Sequence, residues 1–194
     1  MGFWVLALVL SLVVGVVVFG ELRMNAFHQG LRAPLSEVFA DLSPEARDIL
    51  SAMLALESGN RSSFAARYHN LGNLTAPATY PGPTIVQPNA DWEYKELSYS
   101  PGPNSEWQPD PNSSIFFRRR IAQRWRTYPD DPTFLTDFRT ILKLPRYRAA
   151  WEGLKVGSVE QFVTGLHDGG YFTLPPDQYL AGLKKHFPTN GANS

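Results

Sequence analysis

The sequence predicts an α-rich α+β fold, and two patterns lead to this prediction. Apolar residues recur at the three- and four-residue spacing of helices along most of the chain. The proline-dense segment 76–114 instead contains an alternating, strand-like pattern at Trp92-Glu93-Tyr94, which Leu97 and Tyr99 repeat with a phase slip. We expect only short regular structure there, in the form of a small β-hairpin with a bulge. Several helices with one small hairpin make an α+β domain.

An apolar run from Phe3 to Phe19 precedes this body in the 194-residue chain. Its length is about that of a helix that crosses a bilayer. A cleaved signal peptide is the alternative, but no Lys or Arg precedes the run and Val18-Phe19-Gly20 is a poor cleavage site. We therefore expect an uncleaved anchor and the following division: a transmembrane helix over 1–22, a juxtamembrane linker with some helix over 23–42, a folded domain over 43–188 and a flexible tail over 189–194.

A helix is predicted from about Pro44 to Ser58, and its two ends are well marked. Ser43 can cap its start, Pro44 suits a first turn, and Gly59 can end it. One face of this helix is apolar at helical spacing, through Ala46, Ile49, Leu50, Met53 and Leu54. The next position on that face is Glu57.

Glu57 is therefore a candidate general acid. A carboxyl group that is partly desolvated, and close to the negative end of a helix dipole, is shifted toward its protonated form. A general acid must carry that proton. The alternative is a side chain that turns out to solvent at a frayed helix end.

The second half of the chain is predicted to be helical. Phe117, Ile121 and Trp125 recur every four residues and are taken as one face of a helix. Three further helices are marked by their ends: one opens at Asp131-Pro132, one begins with the capping-box spacing of Ser158 and Gln161 and ends at Gly169-Gly170, and one begins near Pro176.

Four segments, in order and spacing, resemble those of the peptidoglycan N-acetylglucosaminidases related to flagellar and autolytic glucosaminidases, which have a lysozyme-like fold. The segments are Ala55-Leu56-Glu57-Ser58-Gly59, Asn70-Leu71-Gly72-Asn73-Leu74-Thr75-Ala76, Leu144-Pro145-Arg146-Tyr147, and Gly169-Gly170-Tyr171-Phe172-Thr173 followed by Tyr179. The resemblance covers about Ser43 to Phe187. This chain departs from the family at Asn60-Arg61, where Trp-Gly is usual, and at Leu174-Pro175, where Asp-Pro is usual.

The resemblance implies a lysozyme-like domain with a small β-hairpin lobe and assigns roles to three residues. Glu57 takes the place of the catalytic acid. A second carboxylate commonly activates water or stabilises the oxocarbenium-like centre, and Glu93 matches the family's Thr-Glu-Tyr segment. Asp91, Glu96 and Glu106 are close enough in sequence to compete for that role. Tyr171 would line the reacting subsite, although a core tyrosine bonded to backbone is the alternative.

Substrate-binding roles are implied for five further residues: Tyr68, Asn70, Trp92, Tyr94 and Tyr179. The implied enzyme is a glycoside hydrolase, without a cofactor, that cuts peptidoglycan between N-acetylglucosamine and N-acetylmuramic acid. Its substrate places the domain on the periplasmic or extracytoplasmic side of the membrane, or in a virion membrane if the gene is viral. A lytic transglycosylase of the same fold and a non-catalytic wall-binding or virion-membrane protein are the alternatives.

Charge adds little to this assignment. The formal net charge is zero, so no global field favours nucleic acid, and the four histidines lack a metal-ligand spacing. The densest positive cluster comprises Arg118, Arg119, Arg120 and Arg124, on the predicted helix of Phe117. It is interpreted either as a solvated helix face or as a patch that binds an anionic surface.

Overall fold

The computed structural model describes residues 24–59, 63–96, 107–109, 111 and 116–188. They form two compact units, a helical unit before Leu74 and after Thr127, and a β unit over Leu74–Thr127. The predicted transmembrane helix over 1–22 and the predicted tail over 189–194 lie outside the described residues. Within the described ranges, no helix is both long and apolar enough to cross a bilayer.

The helical unit contains seven α-helices and one short 3-10 helix among its described residues. They are α1 (24–38), α2 (Pro44–Ser58), α3 (Ser63–Tyr68), α4 (Asp131–Leu142), the 3-10 helix Pro145–Tyr147, α5 (Arg148–Lys155), α6 (Val159–Asp168) and α7 (Pro176–Lys184). Three starts are capped as side-chain chemistry predicts, since Ser43, Asp130 and Ser158 accept hydrogen bonds from the first-turn amides. The helices predicted from 44, 131, 159 and 176 are confirmed.

Helix α1 differs from the linker expected over residues 23–42. Leu31, Leu35 and Phe39 are each at most 2% exposed and belong to the core of the helical unit. Their spacing of four residues places them on one face, which the helix buries. The folded body of the protein therefore begins before residue 43.

Helix α2 is the central element for the site. Its predicted apolar face is buried, with Leu50, Met53 and Leu54 fully inaccessible. It packs against α5 and α7. Gly59 ends it in the left-handed conformation, at φ 57°, and its amide bonds back to the carbonyl oxygens of Ala55 and Leu56. This termination fixes the last turn, which carries Glu57.

Helices α5 and α6 approach each other closely through a glycine. A Cβ atom at Gly165 would overlap the backbone of Ala149 and Ala150. Phe162 and Leu166 on α6 fill the adjacent core and are fully buried. Residues 169–175 follow directly from the end of α6 in this closely packed pair.

The β unit is a three-stranded antiparallel sheet with the order β1-β3-β2. Its strands are β1 (Thr84–Glu96), β2 (Gln108–Pro109) and β3 (Phe116–Arg126). The β1–β3 register shifts between Gln87 and Asp91, next to Pro88, which has no amide hydrogen to donate to the ladder. The small β lobe is confirmed, but β1 has 13 residues and is longer than the proline content led us to expect.

The helix predicted around Phe117, Ile121 and Trp125 is wrong, because these residues lie on β3. A four-residue spacing is an even number of steps, so it keeps residues on one face of a strand as well as on one face of a helix. Pairing decides between them: Trp125 lies opposite Ile85, and ten residue pairs join β1 to β3. The hairpin partner of Trp92–Tyr94 is thus β3, and residues 97–99 lie outside the described ranges.

Two arginines of the predicted basic cluster make contacts inside the β unit. Arg124 donates from Nε to Thr84 Oγ1 at 3.0 Å, and the Arg119 guanidinium lies 5.0 Å from the ring centre of Trp107. These contacts give both side chains a structural role in the lobe. The structure does not describe the side chain of Arg120. The binding of an anionic surface by Arg118, Arg119, Arg120 and Arg124 stays a prediction.

Candidate active site

Glu57 lies in the last turn of α2 beside a groove of about 490 Å³ in the helical unit. The groove is bounded by the end of α2, by the turn at Asn73, by the segment after α6 and by α7. Its lining residues are Leu56, Glu57, Asn73, Phe172, Thr173, Leu174, Gln178, Tyr179 and Gly182. The Glu57 side chain is partly buried, as its position after the apolar face of α2 predicts.

Two polar side chains hold Glu57 in place. The Tyr179 hydroxyl donates to Oε1 of Glu57 at 2.7 Å. Asn73 donates from Nδ2 to the Glu57 backbone oxygen at 2.5 Å, and the same nitrogen is 3.4 Å from Oε2. Because the second distance is long for a hydrogen bond, Oε2 is the less engaged oxygen and the one free to carry a proton.

Burial raises the pKa of Glu57 above the ordinary glutamate value. The hydrogen bonds from Tyr179 and Asn73 act in the opposite direction, because they stabilise the carboxylate, but burial has the larger effect. Burial and the neighbouring Glu57 charge also raise the pKa of Tyr179, so its hydroxyl remains a neutral donor. The protonated form of Glu57 therefore persists to higher pH than in a solvated glutamate.

An aromatic stack forms one wall of the groove. The rings of Phe172 and Tyr179 are parallel to within 2°, with their centres 3.8 Å apart. Tyr179 is 5% exposed, whereas Phe172 is partly exposed on the groove side of the stack. The stack fixes the direction of the Tyr179 hydroxyl and presents an apolar ring beside the carboxyl group.

Tyr171 is tied to the backbone and is absent from the groove lining. Its hydroxyl donates to the carbonyl oxygen of Gly72 at 2.7 Å. A Cβ atom at Gly72 would lie 3.1 Å from that hydroxyl and 3.3 Å from the Phe134 ring, so a side chain there would press on both. The next residue, Asn73, has φ 50°, a left-handed conformation that asparagine tolerates better than most residues. Tyr171 thus supports the turn that presents Asn73 to Glu57.

Two other predicted site residues of the helical unit are absent from the groove lining. Asn70 is fully buried, Tyr68 packs its ring against Phe64 at 5.0 Å, and neither lines the groove. On β1, Glu93 lies opposite Arg119 of β3, between Trp92 and Tyr94. Their side chains lie outside the description, and the substrate roles of these three residues stay predictions.

Seven of the nine groove residues were not among the predicted site residues: Leu56, Asn73, Phe172, Thr173, Leu174, Gln178 and Gly182. The sequence carried a local signal for one of them. Asn73 follows Leu71-Gly72 in a turn-like segment, where an asparagine in the left-handed conformation can be expected. Phe172 precedes Tyr179 by seven residues, but the intervening turn brings the two rings together, and no periodicity in the sequence encodes that contact.

The side chains of the groove suit acid–base chemistry. Among the described residues, no three His, Asp or Glu side chains are grouped as metal ligands would be. The groove provides a carboxyl group with a raised pKa, a hydroxyl donor and an aromatic wall.

No family model matches this chain, and no curated protein matches it significantly. In structure it is similar to a peptidoglycan hydrolase from Sphingomonas sp. A1, with a TM-score of 0.56 and 18% identity over 88% of this chain and 98% of that one. It is also similar to a C-terminally truncated glycoside hydrolase domain of FlgJ from Salmonella typhimurium, with a TM-score of 0.55 and 19% identity over 88% and 99% of the two chains. A third likeness is to the catalytic domain of the autolysin Auto from Listeria monocytogenes, with a TM-score of 0.50 and 16% identity over 87% and 82%. The chain thus has the fold of these hydrolases, and its resemblance to the peptidoglycan N-acetylglucosaminidases is confirmed at the level of the fold.

Proposed function

We propose that this protein is a glycoside hydrolase that cuts the glycan strand of peptidoglycan between N-acetylglucosamine and N-acetylmuramic acid. The observation that carries the proposal is Glu57: a partly buried carboxyl group with a raised pKa, beside a groove of about 490 Å³, on a fold shared with peptidoglycan hydrolases. A groove of that volume falls within the range of about 300–1,000 Å³ that is typical of ligand sites.

In this mechanism Glu57 protonates the glycosidic oxygen as the bond to the leaving sugar breaks. Tyr179 keeps Oε1 engaged, so the proton on Oε2 is the one transferred. Positive charge develops at the anomeric carbon and its ring oxygen, and the Tyr179 hydrogen bond then stabilises the carboxylate that Glu57 becomes. The exposed part of the Phe172 ring gives the apolar face of a sugar a surface on which to pack.

Glu93 is the proposed second carboxylate, which activates water or stabilises the developing charge. The support is its match to the family's segment and its position on β1 of the small lobe. Asp91 and Glu96 lie on the same strand and Glu106 lies in the following segment, so each is a competitor.

A peptidoglycan zymogram tests the assignment of the acid. Wild-type protein should clear the substrate, and Glu57→Gln, which keeps the shape but holds no transferable proton, should not. Equal clearing by the two proteins would remove Glu57 from the mechanism. Absence of clearing by the wild type under all conditions would favour the non-catalytic wall-binding or virion-membrane protein. For Glu93→Gln we expect a large loss of hydrolysis. A normal rate of hydrolysis would indicate that a neighbouring carboxylate or the substrate itself takes the role of the second carboxylate.

A lytic transglycosylase is the second candidate, and one observation favours it. Among the groove residues that the structure describes, Glu57 is the one carboxylate, and a transglycosylase needs one acid/base. Mass analysis of digested wall separates the two reactions. A reducing-end N-acetylglucosamine identifies the glucosaminidase, whereas an anhydro-muramic end identifies the transglycosylase.

The apolar run of residues 3–19 is proposed to anchor the protein in the membrane, with the body on the side that faces the wall. The location of peptidoglycan supports this orientation over the weak opposite bias of Glu21, Arg23 and Arg32. Alkaline extraction of membranes should leave the protein in the pellet. Recovery of a shortened protein in the soluble fraction would favour the cleaved signal peptide.

A further inference from the structure

A second pocket, of about 330 Å³, lies between α1 and α2 in the helical unit. It shares no lining residue with the groove at Glu57. Its residues are His28, Arg32, Leu35 and Ser36 on α1, Pro44, Arg47, Asp48 and Ser51 on α2, and Pro188. Its volume is at the lower end of the range typical of small-ligand sites.

The residues that form this pocket on the two helices are mostly polar, and Arg32, Ser36 and Pro44 among them are exposed. The α1 residues follow one another at steps of four, three and one, and the α2 residues at three, one and three, so each set occupies one face. Leu35 is the one residue with a large aliphatic side chain among the eight on these faces. The pocket thus offers polar and charged groups to a ligand, with little apolar surface.

A buried hydrogen bond forms the floor of the pocket. His28 Nδ1 and Ser51 Oγ are 2.6 Å apart, and the two residues are 8% and 4% exposed. Burial lowers the pKa of His28, so the ring stays neutral and bridges the two helices as a hydrogen-bonding group. This contact fixes the spacing of α1 and α2 at the pocket.

The walls carry charges that have no ion-pair partner within the described chain. Neither Arg32 nor Arg47 lies within ion-pair distance of a described carboxylate, whereas Arg139 in the same unit pairs with Asp41 at 2.8 Å. Asp48, one residue after Arg47, also lacks such a pair. The pocket therefore presents two guanidinium groups and one carboxylate to a ligand.

We propose that this pocket binds a zwitterionic group, a carboxylate with an ammonium close to it, as found in the diamino-acid residue of a peptidoglycan stem peptide. Guanidinium groups pair with planar carboxylates through two parallel hydrogen bonds, and Asp48 complements the ammonium. A phosphate dianion fits less well, since Asp48 repels it. The zwitterion follows from the charges of the pocket, whereas the peptide as its source rests on the proposed function.

Such a site would hold the peptide of a wall strand while the groove at Glu57 acts on glycan. Two contacts on one polymer raise the effective concentration of the second partner once the first is bound. The pocket is then a docking site for the wall, separate from the reacting centre.

The test is calorimetric titration of the full chain, in detergent, with the soluble tripeptide L-Ala-γ-D-Glu-diaminopimelate. Saturable binding is expected for the wild type. Arg32→Gln and Arg47→Gln should each weaken it roughly tenfold or more, as loss of a charge-assisted hydrogen bond does. Arg148→Gln is the matched control, because Arg148 is an exposed arginine on α5 outside the pocket, and it should leave binding unchanged.

Chemically altered ligands test the zwitterion itself. Amidation of the tripeptide carboxylates should abolish binding, and acetylation of its side-chain ammonium should weaken binding to the wild type but not to Asp48→Asn. No saturable binding of the tripeptide, or equal weakening by Arg148→Gln, would overturn the proposal. Inorganic phosphate that binds more tightly than the tripeptide, and more tightly still to Asp48→Asn, would replace it with a phosphate site.

The Glu57→Gln protein separates this proposal from the proposed function. It should bind the tripeptide as the wild type does, because Glu57 is not part of the pocket. Loss of clearing with binding retained supports both proposals. Clearing by Glu57→Gln overturns the catalytic assignment, whereas failure of the wild type to bind overturns only the pocket.

Discussion

The Tyr179→Phe substitution isolates one interaction at Glu57. It keeps the ring that stacks on Phe172 and removes the hydroxyl that donates to Oε1 at 2.7 Å. A hydrogen bond to a charged group contributes about 1.5–3 kcal/mol. Since one pKa unit corresponds to about 1.36 kcal/mol, loss of the bond should raise the pKa of Glu57 by about one to two units. The lower figure is expected, because water can reach the partly exposed carboxylate and replace part of the interaction.

The pH profile of peptidoglycan clearing measures this change. A general acid must be protonated, so activity should fall as pH rises through the pKa of Glu57. Burial already raises that pKa, and the variant should move the alkaline limb to still higher pH. Tyr128→Phe is the control, because Tyr128 makes a comparable bond of 2.6 Å, to Asp137, away from the groove.

Two results would refute the reasoning. If the alkaline limb of a folded Tyr179→Phe protein stays in place or moves to lower pH, the hydroxyl does not stabilise the Glu57 carboxylate. If Tyr128→Phe moves the limb equally, the shift reports a general loss of structure. Circular dichroism at each pH establishes that the variants are folded.

Three further predictions concern stability. Folding raises the pKa of Glu57, so the stability of the wild type should decline as pH rises through the folded-state pKa. Glu57→Gln should therefore have a higher melting temperature than the wild type at pH 8, and the same melting temperature at a pH below the ordinary glutamate pKa. The same difference in melting temperature at both pH values would contradict this. Gly72→Ala should lower the free energy of unfolding in urea by about 1–3 kcal/mol, because the added methyl group presses on the Tyr171 hydroxyl. A variant as stable as the wild type would show that the turn has room for a methyl group. Asn73→Ala should be about 1–2 kcal/mol less stable than Asn73→Gly. Both variants lose the contacts to Glu57, but only alanine is strained at φ 50°. Equal unfolding midpoints of the two variants would exclude that strain.

Local chemistry encodes the helix ends and the position of Glu57 in this sequence. Ser43 and Ser158 cap helices where their hydroxyl groups suggest it, and Gly59 ends α2 with the expected backbone. These features depend on residues within one or two turns of each other, so the sequence is sufficient to predict them. The buried face of α2 likewise predicts the partly buried site of Glu57.

Features that depend on distant residues were not predictable in the same way. The segment 116–126 has a four-residue pattern that suits a helix and a strand equally, and only pairing with β1, some 30 residues earlier, decides for the strand. The Phe172–Tyr179 stack and the Asn73 contact to Glu57 also bring together residues from different elements. The resemblance suggested Tyr171 for the reacting subsite, which stays a prediction, and the structure adds a hydrogen bond from its hydroxyl to the Gly72 carbonyl.

The docking of α1 onto the core limits how much of the N-terminus can be removed from the protein. Leu31, Leu35 and Phe39 are each at most 2% exposed, so a truncation that begins at residue 43 would remove three large apolar side chains from the core of the helical unit. Loss of one buried side chain of this size costs about 2–5 kcal/mol, which is a large part of the stability of a domain. A shortened protein made for assay should therefore retain α1.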